Sequence, residues 1–265
     1  MDEPAEIACD NGVAVVFTLR SPAKETVNED ACCIYRTDSS ACVLLVADGM
    51  GGLPNGQAAS ALVVTSIEKF LAASPDESKY RDAILDGIED ANKQIMQEAP
   101  GSGSTVALVE IVGNLLRPYH VGDSKILVVG QRGKIKLETL SHSPTEYAIE
   151  AGYLEPRDAM DHEDRRYVSN MLGAGDMRIE LGAPLRLSKF DTVLIASDGL
   201  IDNLHLEEIV EIIRKGKLKK CMQTLIHLCR KRMMGEGNPG EPSAPDDLTI
   251  LLFRMGRMAV TLENF

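Results

Sequence analysis

Two apolar segments of this sequence each end in the dipeptide Asp-Gly, and this repeat constrains the fold more than any other feature. The run Val-Leu-Leu-Val-Ala leads into Asp48 and Gly49, and the run Val-Leu-Ile-Ala-Ser leads into Asp198 and Gly199. Short apolar runs bounded by turn residues are typical of buried β-strands. Glycine lets the backbone turn sharply and approach another segment closely. The pattern therefore predicts two strands that each present a carboxylate at the tip.

Further acidic residues stand in comparable places along the chain. A single Asp-Gly is most often a turn signal, so the inference depends on the number of such positions. The others are Asp30 after Asn28-Glu29, Asp123 in Val-Gly-Asp-Ser, and Asp246 with Asp247 before an apolar run. Carboxylate oxygens without a cluster of cysteine or histidine suit Mg²⁺ or Mn²⁺ rather than zinc. We therefore expect these carboxylates to converge on hard divalent cations.

The bulk properties exclude several classes of protein. The chain has 265 residues, 44% of them hydrophobic, which favours one large domain spanning 1–265. Its net charge of −12 argues against a nucleic-acid-binding protein. The six cysteines form no Cys-x-x-Cys pair, which is typical of reduced thiols. No signal-peptide core and no apolar run near the ~18 residues of a membrane span are present, so we expect a cytoplasmic protein without membrane contact.

Hydrophobic patterning predicts an alternation of strand groups and helix pairs. Strands are predicted at 13–19, 31–35, 41–47, 104–112, 115–121, 124–129, 134–138, 179–187, 192–196 and 248–253. Helices are predicted at about 55–71, 74–99, 143–151, 206–214 and 218–233, with Asn55 as one cap and capping boxes at Ser74 and Ser143. The charged, irregular stretch 152–175, within an insertion at about 141–178, is predicted to be a mobile flap. Short connections between strands favour antiparallel sheets packed face to face with helices outside.

Six short motifs in this order resemble the metal-dependent protein phosphatases of the 2C type, in their bacterial form. They are Asn-Glu-Asp at 28–30, Asp-Gly-Met-Gly-Gly at 48–52, Gly-Ser-Thr at 103–105, Val-Gly-Asp-Ser at 121–124, Ser-Asp-Gly-Leu at 197–200 and Asp-Asp-Leu-Thr at 246–249. Each motif alone is weak, but the resemblance runs from about residue 13 to residue 253. It implies an α+β fold, a four-layer α/β/β/α sandwich of two antiparallel sheets flanked by helices. It also implies hydrolysis of phosphoserine and phosphothreonine through a water that bridges two Mn²⁺ or Mg²⁺ ions.

The resemblance also assigns roles to the acidic residues. Asp48 would bridge the two ions, the backbone carbonyl of Gly49 would complete one coordination shell, and Asp198 and Asp246 would hold one cation. Asp48 and Asp198 are therefore the predicted catalytic residues.

The second cation has two candidate ligands, and the sequence does not choose between them. Either Glu29 or Asp30 would serve that ion, directly or through water. Asp123 resembles the ligand of a third, weaker ion that it would share with Asp198.

One position departs from the family pattern. Members usually carry an arginine four residues before the Glu of Asn-Glu-Asp, where it grips the substrate phosphate, and here that residue is Glu25. The neighbouring Lys24 is the candidate substrate-binding residue, as a point charge without the fork of an arginine.

Two other functions stay open at this point. The chain could be a catalytically weak or dead phosphatase-like module that binds a phosphoprotein, although it keeps Asp48, Asp198 and Asp246. It could also be the phosphatase of a partner-switching regulator. In the leading interpretation the partner is a phosphorylated protein, the enzyme opposes a serine/threonine kinase, and it acts as a monomer.

Overall fold

The computed structural model describes residues 1, 3–9, 11–36, 41–50, 55–74, 76–159 and 162–256. Its strands in chain order are β1 Ala5–Cys9, β2 Gly12–Leu19, β3 Asp30–Arg36, β4 Ala41–Asp48, β5 Val106–Val112, β6 Leu115–Val121, β7 Lys125–Val129, β8 Ile135–Glu138, β9 Glu180–Leu181, β10 Leu185–Arg186, β11 Thr192–Ala196 and β12 Leu248–Met255. Its α-helices are α1 Gly56–Ala73, α2 Tyr80–Glu98, α3 Pro144–Glu150, α4 Pro156–Ala159, α5 Asp198–Ile201, α6 Leu206–Ile213 and α7 Leu218–Met233.

These strands form two antiparallel sheets. One has the order β1-β2-β12-β11-β7-β8, and the other has the order β10-β6-β5-β4-β3, with β9 also paired to β6. Helices α1 and α2 pack on the outer face of the second sheet, while α5, α6 and α7 pack on the outer face of the first. The predicted four-layer α/β/β/α sandwich is confirmed.

The apolar strands are buried on both faces because each sheet lies between two apolar layers. In β4, Leu44 and Val46 point into the cluster between the sheets. Val43 and Leu45 point the other way, into the cluster under α1 and α2. Side chains alternate across a strand, so a strand buried on both faces shows a continuous apolar run instead of an alternating one.

The predicted start of the second helix is wrong. Residues 77–79 form a 3-10 turn, and α2 begins only at Tyr80. The cap is Asp76, whose side chain accepts a hydrogen bond from the Ser78 N–H at 2.8 Å. Because the Asp76 carboxylate caps this first turn, the Ser74 hydroxyl is not needed as a cap. Pro75 lies outside the described residues. Asn55 precedes α1 in the left-handed conformation, with φ of 59°, and makes no side-chain cap.

The predicted strand 179–187 is divided into two short strands, β9 and β10, which both pair with β6. Gly182 separates them because it lies against Pro118, where an added Cβ would come within 2.5 Å of the proline ring. The pairing shifts by one residue across this break: Leu181 opposes Tyr119, whereas Leu185 opposes Leu116. Strand β1 was not predicted because it is short and half-exposed. Helix α5 was not predicted because it spans a single turn.

The flap, residues 152–175, is more structured than the sequence indicated. It contains α4 and a 3-10 turn at 163–166. Its end is fixed to the body by two backbone hydrogen bonds between Leu172 and Ser104 and by the Gly173 N–H, which donates to Asn92 Oδ1 at 2.6 Å. Within the described ranges of the chain, no helix combines the length and apolar character needed to cross a membrane.

Candidate metal centre

The predicted carboxylates lie at neighbouring strand ends. Asp48 is the last residue of β4, Asp30 is the first residue of β3, and the two residues are directly paired across the sheet. The Asp48 backbone is held on its other side by Thr105, which donates its N–H to the Asp48 carbonyl at 2.8 Å and accepts the Asp48 N–H on its hydroxyl at 3.1 Å. Sheet register therefore brings two acidic side chains together at one edge.

The glycines of the two Asp-Gly pairs are required by close backbone approaches. A Cβ on Gly49 would lie 2.2 Å from the carbonyl oxygen of Gly56 and 2.5 Å from that of Glu29. A Cβ on Gly199 would lie 2.0 Å from the carbonyl oxygen of Asp247. Both distances are far below van der Waals contact, so only glycine lets each aspartate reach its place. Residues 51–54, the rest of the first motif, lie outside the described residues.

Ser197 connects the two sheets beneath the centre. It directly follows β11, and its hydroxyl donates to Asp30 Oδ2 at 2.9 Å while accepting the N–H of Thr249 in β12 at 3.0 Å. Asp198 follows as the first residue of α5. The serine thus holds Asp30 of β3 close to the start of α5, where Asp198 lies.

Asp123 follows the turn glycine Gly122, which has φ of +102° and no room for a Cβ against Thr105. The neighbouring acidic residue Asp202 is paired with Arg165 of the flap, whose Nε lies 2.8 Å from Asp202 Oδ1. Local sequence does not predict a role for this arginine, because its partner lies 37 residues away, at the C-terminal end of α5.

Four of these residues form a group that we call the inner carboxylates. They are Asp30, Asp48, Asp123 and Asp198, and all are partly buried. Burial raises the pKa of Asp30 to about 7 and that of Asp123 to about 6, the latter with help from the charge of Asp202. Burial, followed by the charges of neighbouring aspartates, raises the pKa of Asp48 and Asp198 well above the ordinary value. Removal from water and like-charge repulsion thus act in the same direction.

The inner carboxylates suit a divalent cation. Asp30 Oδ1 is buried and has no hydrogen-bond partner. Among the described residues, no Lys, Arg or His nitrogen lies within 4.0 Å of any inner carboxylate. An all-oxygen donor set with uncompensated negative charge is what Mg²⁺ or Mn²⁺ prefers.

The remaining predicted residues form a second group beside the first, which we call the outer carboxylates: Glu29, Asp246 and Asp247. Asp247 is buried, and its side chain accepts the backbone N–H groups of Ser21 at 2.7 Å and Glu29 at 2.8 Å. Lys24 places its Nζ among these three carboxylates. Glu25 is exposed at the surface of the loop, so the side chain that reaches the centre is that of Lys24.

Sequence reasoning found no ligand spacing among the histidines, but the fold stacks His120 on His142 with ring centroids 4.5 Å apart. With Glu180 they form a group whose polar atoms lie within 4.8 Å of one another. His142 Nδ1 accepts the N–H of Gly122 at 3.0 Å, so its proton is on Nε2, which faces Glu180 Oε2 at 3.0 Å. A nitrogen that carries a proton offers no lone pair to a metal. We therefore interpret this group as a structural contact that links the turn at Gly122 to Glu180, just after the flap insertion.

The sequence model of the family described as protein phosphatase 2C matches residues 21–235. This chain belongs to the protein phosphatase 2C family. The protein phosphatase PhpP of Streptococcus pneumoniae is 27% identical to it over 198 residues, which cover 72% of this chain and 80% of PhpP. The solved structure of the S. agalactiae serine/threonine phosphatase superposes with a TM-score of 0.76 at 27% identity, covering 91% of this chain and 98% of that one.

A third comparison bears on the fold of this phosphatase. The catalytic domain of the serine/threonine protein phosphatase PstP, solved in complex with two manganese ions, has a TM-score of 0.72. It is 23% identical, and the match covers 92% of this chain and 98% of that one. This comparison supports the fold, and the match of the family model to residues 21–235 is what identifies the chain as a protein phosphatase.

Proposed function

We propose that this phosphatase hydrolyses phosphoserine and phosphothreonine esters in proteins and requires Mn²⁺ or Mg²⁺ to do so. One observation carries the proposal: carboxylates from both sheets meet at one point, where Asp30 Oδ1 is buried without a partner. Such an arrangement is costly unless cations compensate it. Its partner in this proposal is a phosphorylated protein, the product of a serine/threonine kinase, on which it acts as a monomer.

The carboxylates have different roles in this proposal. Asp48 would serve both ions, and Asp198 and Asp246, whose charges act on Asp48, would hold one of them. Glu29 or Asp30 would serve the other ion, and Asp30 offers an oxygen for it because Ser197 fixes its Oδ2 and leaves its Oδ1 unpartnered. Asp123 would contribute to a third ion, shared with Asp198. The carbonyl of Gly49 would complete a coordination shell.

Phosphate-ester hydrolysis needs charge neutralisation on the phosphoryl oxygens and a nucleophile at neutral pH. Bound divalent ions supply both by binding phosphoryl oxygens and by lowering the pKa of coordinated water. The contribution of the chain itself is to hold the aspartates and the flap in position. Thr105 and Ser197 fix the backbone and side chains of the aspartates, and Arg165 fixes the flap beside Asp202. A positioned set of carboxylates then needs little reorganisation during the reaction.

Release of inorganic phosphate from matched phosphoserine, phosphothreonine and phosphotyrosine peptides tests this proposal. Metal-stripped protein should be inactive, and Mn²⁺ or Mg²⁺ should restore hydrolysis of the first two peptides. Full activity in chelator would overturn the metal requirement.

The same experiment distinguishes the rival function. If the protein binds Mn²⁺ and a phosphopeptide but releases no phosphate, the chain is a phosphatase-like binding module instead of an enzyme. The Asp198→Asn variant provides the background rate for this comparison.

A further inference from the structure

Two cysteine thiols meet between the two sheets at one side of the sandwich. Cys9 is the last residue of β1, which is an edge strand of the first sheet, and Cys42 is the second residue of β4 in the other sheet. Their Sγ atoms lie 3.5 Å apart, in hydrogen-bond contact, and both residues are free thiols. The pair therefore spans the gap between the sheets without a covalent bond.

The alternation of side chains along β1 explains why Cys9 points inward. Ile7 and Cys9 are half-buried against the apolar cluster between the sheets. Glu6 and Ala8, which alternate with them, are exposed on the other face. Cys42 belongs to the same inner cluster and is only 2% exposed. The two sulfurs thus enter one apolar layer from opposite sheets.

A guanidinium group lies beside this pair of thiols. Arg36 is the last residue of β3 and stands directly opposite Cys42 in the antiparallel register. Its Nη1 donates to the carbonyl oxygen of Ala8, the neighbour of Cys9, at 2.9 Å. A nearby positive charge favours the thiolate form of a cysteine, which is the form that reacts with oxidants. Arg36 therefore favours ionisation at this place.

The two thiols are not equivalent. Cys9 is half-buried whereas Cys42 is buried, so a small oxidant in water reaches Cys9 first. The hydrogen bond with Cys9, followed by burial, raises the pKa of the Cys42 thiol well above its ordinary value. Cys42 therefore keeps its proton and donates it to the Cys9 sulfur. This arrangement makes Cys9 the sulfur that reacts first and Cys42 the thiol that reacts second.

We propose that hydrogen peroxide converts Cys9 and Cys42 into an intramolecular disulfide that ties the two sheets together. The Cys9 thiolate attacks one peroxide oxygen, the O–O bond breaks, and the sulfur is oxidised to a sulfenic acid while the other oxygen leaves as water. The Cys42 sulfur then attacks the Cys9 sulfur, the S–O bond breaks, and the hydroxide leaves as water with the Cys42 proton. Two thiols and one hydrogen peroxide thus give one disulfide and two waters.

The disulfide acts on the stability of the fold and not on the metal centre. Cys42 stands six residues before Asp48 in β4, which separates the two by ~20 Å along the strand. The bond joins residues that are 33 positions apart in the sequence. A cross-link over such a length stabilises the folded protein by restricting the unfolded chain. Oxidation therefore makes the protein harder to unfold, whether or not it hydrolyses phosphate esters.

Treatment of the reduced protein with hydrogen peroxide in chelator tests this proposal, with mass spectrometry and thermal unfolding as readouts. The intact mass should fall by two hydrogens, and non-reducing peptide maps should join the peptides of Cys9 and Cys42. The Tm should rise by about 5–10 °C, and a thiol reductant should reverse both changes. Arg36→Gln, which keeps a donor but loses the charge, should slow the oxidation by about threefold or more.

Cys33 provides a matched control. Its thiol is also half-buried, but it faces the cluster under α1 and α2 and donates to Glu68 Oε1 at 2.9 Å. Cys33→Ser should form the disulfide and gain stability on oxidation like the wild type. Cys9→Ser should do neither.

A variant of the second thiol tests the order of the two steps. Cys42→Ala should stop at a Cys9 sulfenic acid, which a dimedone probe labels. If Cys42→Ala does not fold, Cys9→Ser, at a half-exposed position of an edge strand, still gives the comparison with the wild type.

The outcomes separate this inference from the proposed function. If peroxide leaves the thiols reduced, or oxidises Cys9 without joining it to Cys42, the disulfide is refuted. If the disulfide forms but the Tm does not rise, the tie between the sheets is refuted. If Cys33→Ser also loses the disulfide, the pairing is wrong. None of these results touches the proposed metal-dependent function, because neither Cys9 nor Cys42 is a ligand in it.

Discussion

Asp30 and Asp48 stand directly opposite each other in the antiparallel pair β3–β4. Like charges at such positions destabilise a sheet, and antiparallel geometry holds the two Cβ atoms only about 5 Å apart. The fold accepts this pair at the edge where β11 ends and β12 begins, so the acidic residues that follow β11 and precede β12 lie nearby. The pair lowers local stability, and in the proposed function bound cations would compensate its charge.

The first prediction concerns Asp48, which is paired with Asp30 across the sheet and hydrogen-bonded through its side chain to Asp198. Asp48→Asn should lower kcat at least about 10²-fold, the scale of losing a principal electrostatic group. The fold should persist, because removing one crowded charge relieves repulsion. Steady-state kinetics with Mn²⁺ and a phosphothreonine peptide measure the effect. Asp86→Asn, at an exposed position of α2, is the control and should keep wild-type turnover; equal rates for the two variants would show that Asp48 is not part of the machinery.

The second prediction is a pH dependence of stability in chelator. Burial raises the pKa of Asp30 from 3.8 to about 7 in the folded protein. Below pH 3.8 both states keep the proton; between about pH 4 and pH 7 only the unfolded state loses it, so this group lowers stability as pH rises. Above about pH 7 Asp30 is ionised in both the folded and the unfolded state, so the free energy of unfolding that it has cost no longer changes with pH. Asp30→Asn should remove this cost.

The free energy of unfolding of wild type and Asp30→Asn, measured by denaturant titration from pH 4 to pH 8, checks this sign. The variant should gain on the order of 1–2 kcal/mol relative to wild type across that window, less than the full pKa shift implies because Asp30 as a residue is only partly buried. Saturating Mn²⁺ should reverse the order, since an ion that binds only the folded state stabilises it. A constant difference between the proteins at all pH values would exclude Asp30 as the source.

Sequence patterns predicted the layers and the acidic residues because both depend on local signals. The runs 43–47 and 193–197 are apolar since each strand is buried on both faces, and the Asp-Gly pairs follow from close backbone approaches at Gly49 and Gly199. The interrupted strand at 179–187 was not predictable from its own residues. Its break depends on Pro118, which lies far away in the sequence.

The parts of the centre that were missed all rest on long-range pairs. The bond from Ser197 to Asp30 spans 167 residues, and that from Lys24 to Asp247 spans 223. Nothing in either local sequence shows that the pairs meet. For Lys24 the sequence suggested a phosphate contact, which stays a prediction, whereas the structure shows its ammonium group among carboxylates.

The third prediction concerns the flap. Replacing residues 152–168 with a short Gly-Ser linker keeps Leu172 and Gly173, which fix the end of the flap to the body. The rate on a phosphoprotein should fall more than the rate on a small aryl phosphate, because a surface segment beside the centre contacts large substrates first. Parallel kcat/KM measurements on both substrates give the ratio. An equal loss on both would show that the segment supports the core instead.

The fourth prediction uses Gly199 to test how closely α5 must approach the start of β12 at the centre. An alanine Cβ there would lie 2.0 Å from the Asp247 carbonyl oxygen and 3.4 Å from Leu248 Cα, both backbone atoms that cannot rotate away. Gly199→Ala must therefore push the start of β12 away from Asp198. We expect a loss of about 3 kcal/mol in the free energy of unfolding, at the upper end for overpacking, and weaker Mn²⁺ binding because Asp246 moves with β12.

Gly130→Ala is the matched control for this variant, since its Cβ would meet Lys136 Cε at 3.5 Å and two oxygens, of Asp191 and Lys134, at 3.7 Å, which are all ordinary contacts. That variant should change stability by less than about 1 kcal/mol and leave Mn²⁺ binding intact. Denaturant unfolding in chelator separates the packing effect from ligand stabilisation, and calorimetric Mn²⁺ titration then measures the displacement of the ligands. If Gly199→Ala has the same free energy of unfolding as Gly130→Ala but binds Mn²⁺ more weakly, the glycine is required for the position of the metal ligands and not for packing. If it keeps both stability and Mn²⁺, the close approach of α5 to β12 is not what holds Asp198 beside Asp246.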